Sequence, residues 1–363
     1  MTAAAAPVTP APAIIRRGGM YVVLVDRLGI SARIHGRAVA VTATLLAAAA
    51  AAFAWSLSVG DFPIAITDVV ATLFGRGSDE HEFIVRELRL PRGLTAVAVG
   101  SAFGMSGAIF QRLAGNPLAS PDILGVNSGA GVAAVFVIVV VHGSRNGVTV
   151  AALLGATASA LCTYLLAYSR GITGYRLVLV GIGVHAVQLA AIHYLMTRAE
   201  IYDAQRALVW ITGSLNGRGW DDARPIGVAL AVVIPSALVV ARQLRILELG
   251  DDAARGLGGR VERSRAALLL CGVALAAVAT ASAGPIGFVA LVAPQIARRL
   301  VGGRSLGLLP AAAGGALLVV CADLAGRRMF APTELPVGVV TAVIGAPYLL
   351  YLLARTTRRG LGE

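Results

Sequence analysis

The sequence predicts an all-α, polytopic membrane protein with about ten transmembrane helices, and three observations carry that expectation. Hydrophobic residues make up 57% of the 363 positions and charged residues only 14%, against roughly a quarter charged in a soluble domain. The apolar residues fall into runs near the 20 or so needed to cross the hydrocarbon, punctuated by Arg, Pro and Gly. The arginines are also distributed unevenly between alternate connections, which gives the spans an orientation. A mean hydropathy of +0.79 fits the same class. The net charge of +12 would suit nucleic acid in a soluble chain. Here its distribution matters more than its total, and no nucleic-acid partner is expected.

Residues 1–37 are rich in Ala and Pro at their start and carry Arg16, Arg17, Arg27, Arg33 and Arg37. Such a segment lacks the apolar surface needed to order itself, so a flexible cytoplasmic extension is expected. No compact apolar core with a small-residue cleavage site precedes Arg16, so it does not read as a cleaved signal. The transmembrane domain is expected over 38–355, with spans near 38–57, 93–112, 123–141, 148–168, 176–196, 225–241, 266–283, 286–300, 307–325 and 337–354. Gly284-Pro285 and Pro294 interrupt the pattern between 266 and 300. A short cytoplasmic tail, 356–363, follows. Placing the N-terminus inside puts about two-thirds of the 31 arginines on the inner face, while the 19 acidic residues lean outward. Basic residues in short loops set topology, so both termini are expected in the cytoplasm.

The stretch from Glu87 to Gly131 organises the rest. It opens on Arg89-Leu90-Pro91-Arg92, continues as an apolar run with Gly100, Gly104 and Gly107, and closes at Asn116-Pro117. Small residues at such spacing let helices approach closely in a membrane, where packing rather than hydrophobic collapse drives association. Pro117 lacks a donor and restricts the residue before it. A helix framed by an arginine corner and a Pro/Gly break suits a gated pathway. A weak echo, Leu335-Pro336-Val337-Gly338 followed by Gly345, repeats the offset of Leu90-Pro91-Arg92-Gly93 and Gly100; paired breaks of this kind occur in transporters built from repeats.

Chemistry-bearing motifs are missing from the sequence. It has no GxxxxGK[ST] phosphate loop, HExxH pair, Cys/His cluster or nucleophile elbow. Cys162, Cys271 and Cys321 lie in apolar runs and read as packing residues. The chain is therefore expected neither to be an enzyme nor to bind a cofactor or metal. Its longest inner loop, 242–265, alternates leucines with charges around Gly250, Gly256, Gly258 and Gly259. Two short helices around a turn fit that pattern, either docking a protein or lying on anionic lipid. Arg89 and Arg92 are spaced to point together at an acidic partner or to snorkel at the interface. Asp323 is placed to pair with Arg327 or Arg328. His185 and Gln188 share a helix face and serve either a polar path or interhelical hydrogen bonds.

Four stretches, RLPRGLTAVAVGSAFGMSGAIFQRLAGNPLASPDILGVNSGAG, LELGDDAARGLG, GPIGFVALVAPQIARRLVG and ELPVGVVTAVIGAPYLLYLL, resemble in order the signatures of FecCD-type permeases. These are subunits of bacterial ABC importers for iron–siderophores, haem and cobalamin. The resemblance spans about 40–355 and implies the type II importer fold of cobalamin permeases in the cytoplasmic membrane. It also implies a second permease subunit, identical or homologous, with the pathway between the two. Two ATPase subunits that use ATP and Mg would sit inside, and an extracytoplasmic substrate-binding lipoprotein outside. By the same resemblance Leu247, Leu249, Gly250, Ala254, Leu257 and Gly258 fall on the helix that couples to the ATPase. Arg89, Arg92 and Arg327 fall where glutamates of the binding protein dock. Gly100, Gly104, Gly107, Asn116 and Pro117 fall on the packing and gating helix. Gln295 departs from the pattern, where His is common. The implied function is alternating-access import of an iron(III)–siderophore, with haem or cobalamin as alternatives. The rival reading is an ion-coupled secondary transporter, which would place more ionisable groups within the spans.

Overall fold

The computed structural model describes residues 13–17, 20–25, 30–168, 174–247, 250–256, 258, 260–302 and 307–360. Three strands come first: β1 (Ala13–Arg17), β2 (Met20–Val25) and β3 (Ile30–His35), paired antiparallel in the order β1-β2-β3. Ile15 lies opposite Val22, and Val23 opposite Ala32. This differs from the unstructured segment expected over 1–37. The run Tyr21–Val25 is aromatic and β-branched, which favours strand; the Ala/Pro composition just before it hid that signal.

The other regular elements among the described residues are helices. They are α1 (Gly36–Ser58), α2 (Ile66–Leu73), α3 (Asp79–Leu113), α4 (Val126–Val141), α5 (Arg145–Ala167), α6 (Gly174–Thr197), α7 (Ile201–Thr212) and α8 (Trp220–Gln243). Then follow α9 (Leu244–Leu247), α10 (Asp251–Gly256), α11 (Val261–Ala283), α12 (Val289–Val301), α13 (Leu308–Arg328) and α14 (Val337–Gly360). Seven of these, α1, α3, α5, α6, α8, α11 and α13, are long and apolar enough to cross a membrane. α4 and the Val337–Tyr351 part of α14 are shorter apolar helices. With the 13-residue α12 they occupy the ten segments read from the sequence. The short helices α2, α7, α9 and α10 lie in the connections and raise the total.

Alternate connections gather at two ends. At one, here the arginine end, Arg89 Nη1 donates to the Leu57 carbonyl at 2.7 Å, Arg328 Nη1 to Gly60 at 3.3 Å and Trp220 Nε1 to Arg86 at 3.0 Å. At the other, the loop end, Arg37 Nε donates to the Leu300 carbonyl at 2.7 Å.

α3 runs through the middle and is the most buried span. Phe103, Met105 and Ile109 bury side chains in the core, whereas at its glycines the packing surface is backbone. A Cβ on Gly100 would strike the Gly315 carbonyl, one on Gly104 the Ala311 carbonyl, and one on Gly107 the Ala290 carbonyl. α3 therefore meshes with α13 and α12 at the closest approach helices allow. Near its start α3 widens into a π-helical turn, Phe83–Arg89. Pro91 supplies no N–H and its ring crowds the carbonyl four residues back, so the extra residue in the turn relieves that conflict.

The interrupted region after α11 also has a local cause. Gly284 at φ 77° and Phe288 at φ 67° bracket the Gly-Pro-Ile-Gly-Phe turn. α12 then restarts at Val289 with Pro294 inside it.

Candidate functional site

Arg89, Arg92 and Arg327 come together at the arginine end, joined to the body of the chain. Arg89 closes the π turn, and its guanidinium donates to the carbonyls of Leu57 and Phe62, at 2.7 and 2.5 Å. Arg92, one turn on, sends Nε and Nη2 to Asp323 Oδ1 at 3.2 and 3.0 Å, and Nη1 to Glu334 Oε2 at 3.1 Å. Arg327 Nε faces the other Asp323 oxygen at 3.2 Å as an ion pair but lacks the alignment of a hydrogen bond. Asp323, 6% exposed, thus holds two arginines, while Glu334 is 33% exposed. The local pairing of Asp323 read from the sequence is present. The capture of Arg92 from a helix more than two hundred residues away was not legible.

At the loop end, α9 and α10 are joined through Gly250 at φ 92°, and the chain leaves α10 through Gly258 at φ 79°. Left-handed backbone of this kind suits Gly. Ala254 is fully buried and Leu247 packs partly buried against the core. Both brace the loop from within, because helices of four and six residues have only one face to bury. Gly250, Ala253, Arg255, Gly256 and Gly258 are the exposed positions among the described residues of α9, α10 and their turns. Leu249 and Leu257 lie outside the described residues.

Asn116 and Pro117 close α3 at this same end. Asn116 Oδ1 accepts from the Leu118 N–H at 2.9 Å, and Gln295 Nε2 donates to the Pro117 carbonyl. Gln111 Nε2 makes a parallel bond to the Leu291 carbonyl at 3.0 Å. Gln295 therefore fastens the Asn-Pro turn to α12.

Behind that turn lies a polar network that sequence reasoning largely missed. Asn127 Nδ2 donates to Asp122 Oδ1, Ser120 Oγ to Asp122 Oδ2, and Thr280 Oγ1 to Asn127 Oδ1. Ser128 Oγ donates to Gln188 Oε1 at 2.7 Å and lies 2.9 Å from His185 Nδ1, while Gln188 Nε2 donates to Ser159 Oγ at 2.6 Å. His185 and Gln188 thus make interhelical bonds from one face of α6. Asp122 sits in the connection between α3 and α4. It keeps some exposed surface, but its carboxyl is enclosed by protein atoms. That desolvation pushes it up to about 6, against the opposing pulls of Ser120 and His185. The signal available in the sequence was a lone carboxylate in an otherwise apolar Pro-Asp-Ile-Leu-Gly turn.

The profile of the FecCD transport family matches residues 27–355. The ferric enterobactin transport system permease protein FepG of Escherichia coli K12 is 42% identical over 87% of this chain and 96% of that relative. The probable siderophore transport system permease protein YfhA of Bacillus subtilis 168 is 44% identical over 91% and 98%. The achromobactin transport system permease protein CbrC of Dickeya dadantii 3937 is 41% identical over 94% and 99%. Among solved structures, a metal-chelate type ABC transporter in an inward-facing conformation superposes with a TM-score of 0.79 at 24% identity. That match covers 87% of this chain and 99% of the other. At this identity it speaks for the fold alone.

Proposed function

The chain belongs to the FecCD transport family, and from that premise we propose that it is the membrane permease of an ATP-binding-cassette importer carrying iron(III)–siderophore complexes inward. The observation that carries the reading is its near full-length similarity to permeases named for ferric enterobactin, achromobactin and other siderophores. Haem and cobalamin are the alternative cargoes in the same architecture.

In this reading the loop end is cytoplasmic, and α9–α10 with their glycine turns are the handle held by a partner ATPase that hydrolyses ATP with Mg. The arginine end faces outward and receives a substrate-binding protein. A second permease copy or homologue completes the pathway. The chain performs no covalent step. It contributes two arrangements of different stability, one open to each side, and partners at either face bias the balance between them. The closely meshed α3–α13 seam supports movement of these helices as one rigid body. Gln295 on the Pro117 carbonyl ties the inner turn to α12, so that displacement of α12 reaches the turn directly. Few ionisable groups lie within the spans, which supports this reading over ion coupling.

The orientation is tested by thiol labelling. With the three native cysteines replaced by Ala, Ala253→Cys in the exposed part of the loop is expected to react with an impermeant maleimide only from the cytoplasmic side. Labelling from outside removes the ATPase-docking role.

A further inference from the structure

A cleft of about 520 Å³ opens at the arginine end between the start of α5, the length of α7 and the 213–219 connection, away from Arg92. Its rim carries Arg145, Arg206 and Arg218, with Gln205 and Asn216 between them and Trp210 alongside. Ile138, Val148 and Val209 form its apolar wall.

Two carboxylates sit behind this rim and are already committed. Asp222 accepts from Arg145 Nη2 at 2.5 Å, from Arg218 Nη1 at 3.0 Å and from the Gly219 N–H at 3.1 Å. Asp203 lies 2.9 Å from His142 Nδ1 and 3.3 Å from Arg206 Nη1. Both are largely buried, at 8% and 13% side-chain exposure, whereas Arg145 and Arg206 are each 52% exposed. A ligand entering the cleft therefore meets guanidinium edges, not carboxylates. Arg218, 11% exposed, is taken up by Asp222 and the Ser214 carbonyl, and Arg145 Nη1 also donates to the Gly217 carbonyl. Arg145 and Arg206 keep exposed donors, and a guanidinium has five in a planar fork suited to phosphate or carboxylate. The volume lies within the usual range for a small-molecule site. Outside the cleft, Val150 and Leu154 of α5 and Leu208 of α7 are exposed apolar side chains.

The geometry points to a binding site for an amphiphilic anion, with a phosphate or carboxylate on Arg145 and Arg206 and an apolar body along Val148, Val209 and Trp210. Two sources supply that chemistry: an anionic phospholipid of the surrounding leaflet, or the anionic iron chelate on its way to the pathway. The second source rests on the transport reading above; the first does not. Holding either ligand is a matter of charge and hydrogen bonding, with no bond made or broken.

The experiment compares wild type with the double variants Arg145→Gln/Arg206→Gln and Arg145→Lys/Arg206→Lys, each purified as the full chain in nanodiscs. Native mass spectrometry reads retained phosphatidylglycerol in discs that contain it, and radiolabelled ferric citrate binding is read in discs of phosphatidylcholine alone. The Gln pair is expected to bind one of these probes at least about tenfold more weakly, the size of one lost charge-assisted hydrogen bond. The Lys pair keeps the charge without the fork and is expected to bind more weakly than wild type but more tightly than the Gln pair, which separates charge from general damage to the fold. Loss of phosphatidylglycerol identifies the lipid, and loss of ferric citrate identifies the chelate, so the chelate arm can fail without touching the site. Equal binding by wild type and the Gln pair for both probes, or binding by the Lys pair no tighter than by the Gln pair with an unchanged thermal transition, overturns the proposal.

Discussion

Arg92 places two nitrogens on one oxygen of Asp323, at 3.0 and 3.2 Å, while the other oxygen of Asp323 faces Arg327 at 3.2 Å. One buried carboxylate thus fastens the start of α3 to the end of α13. Removing it leaves two guanidiniums without their shared partner, a change of the kind that costs about 3 kcal/mol. Asp323→Ala is expected to lower the thermal transition in detergent, and adding Arg327→Leu to cost little more, because both changes break one network. Additive losses would show that the two residues act independently.

Glu334 is the more exposed of the two carboxylates on Arg92. In the reading proposed above, a binding-protein carboxylate that docks on Arg92 would have to take the place of Glu334, so docking there would be an exchange. Glu334→Gln is expected to tighten the permease for its binding protein by roughly tenfold, the effect of removing one competing charge-assisted bond. Surface plasmon resonance on the reconstituted complex reads this directly. Unchanged or weaker docking would place the partner's contact elsewhere.

The seam along α3 tolerates no added atoms. Gly104→Val would drive a branched side chain into the Ala311 carbonyl of α13, backbone that cannot move aside cheaply. A loss of about 3 kcal/mol or failure to assemble is expected, seen as a lowered melting transition or as aggregation on size exclusion. Gly183, which has open space around it, serves as the control for a Gly→Ala change in a span.

Asp122 gives the protein a pH dependence of definite sign. Burial pushes its carboxyl up from the ordinary 3.8 to about 6, so the folded state holds the proton more tightly than a free carboxyl does. The stabilising effect of the neutral form is complete below pH 3.8 and is lost as pH rises toward 6. Above that, an enclosed ionised carboxylate costs up to roughly 3 kcal/mol. Asp122→Asn is expected to gain stability over wild type at pH 7.5 and to lose most of that advantage at pH 4.5. Melting curves of the two proteins that stay parallel across this range would contradict the shift.

The spans were legible because membrane crossing imposes a length and a composition that no tertiary context alters. The bounds of α12 were the least legible, because Gly284-Pro285 and Pro294 interrupt the apolar pattern there. α7 was not legible: its 12 residues are too few to span and too mixed in polarity to stand out. The strands before α1 were hidden by the Ala/Pro segment that precedes them. At the arginine end, residue types and spacing brought Arg89 and Arg92 forward and paired Asp323 with Arg327 or Arg328, but they did not give the partners of Arg89 and Arg92. Whether an arginine faces solvent, a carbonyl or a carboxylate depends on which helices pack together, as the Arg89 bonds to Leu57 and Phe62 illustrate. The same holds for Ala254, whose burial follows from the way α10 folds back against its own chain.

The central claim is that transport is powered by ATP at the loop end of this chain. Proteoliposomes containing the permease with its ATPase and binding protein, given radiolabelled ferric siderophore on the arginine side, test it most directly. Accumulation is expected only when ATP and Mg are supplied on the loop side, and to persist when ion gradients are collapsed. Uptake without ATP, driven by an imposed proton or sodium gradient, would contradict the account.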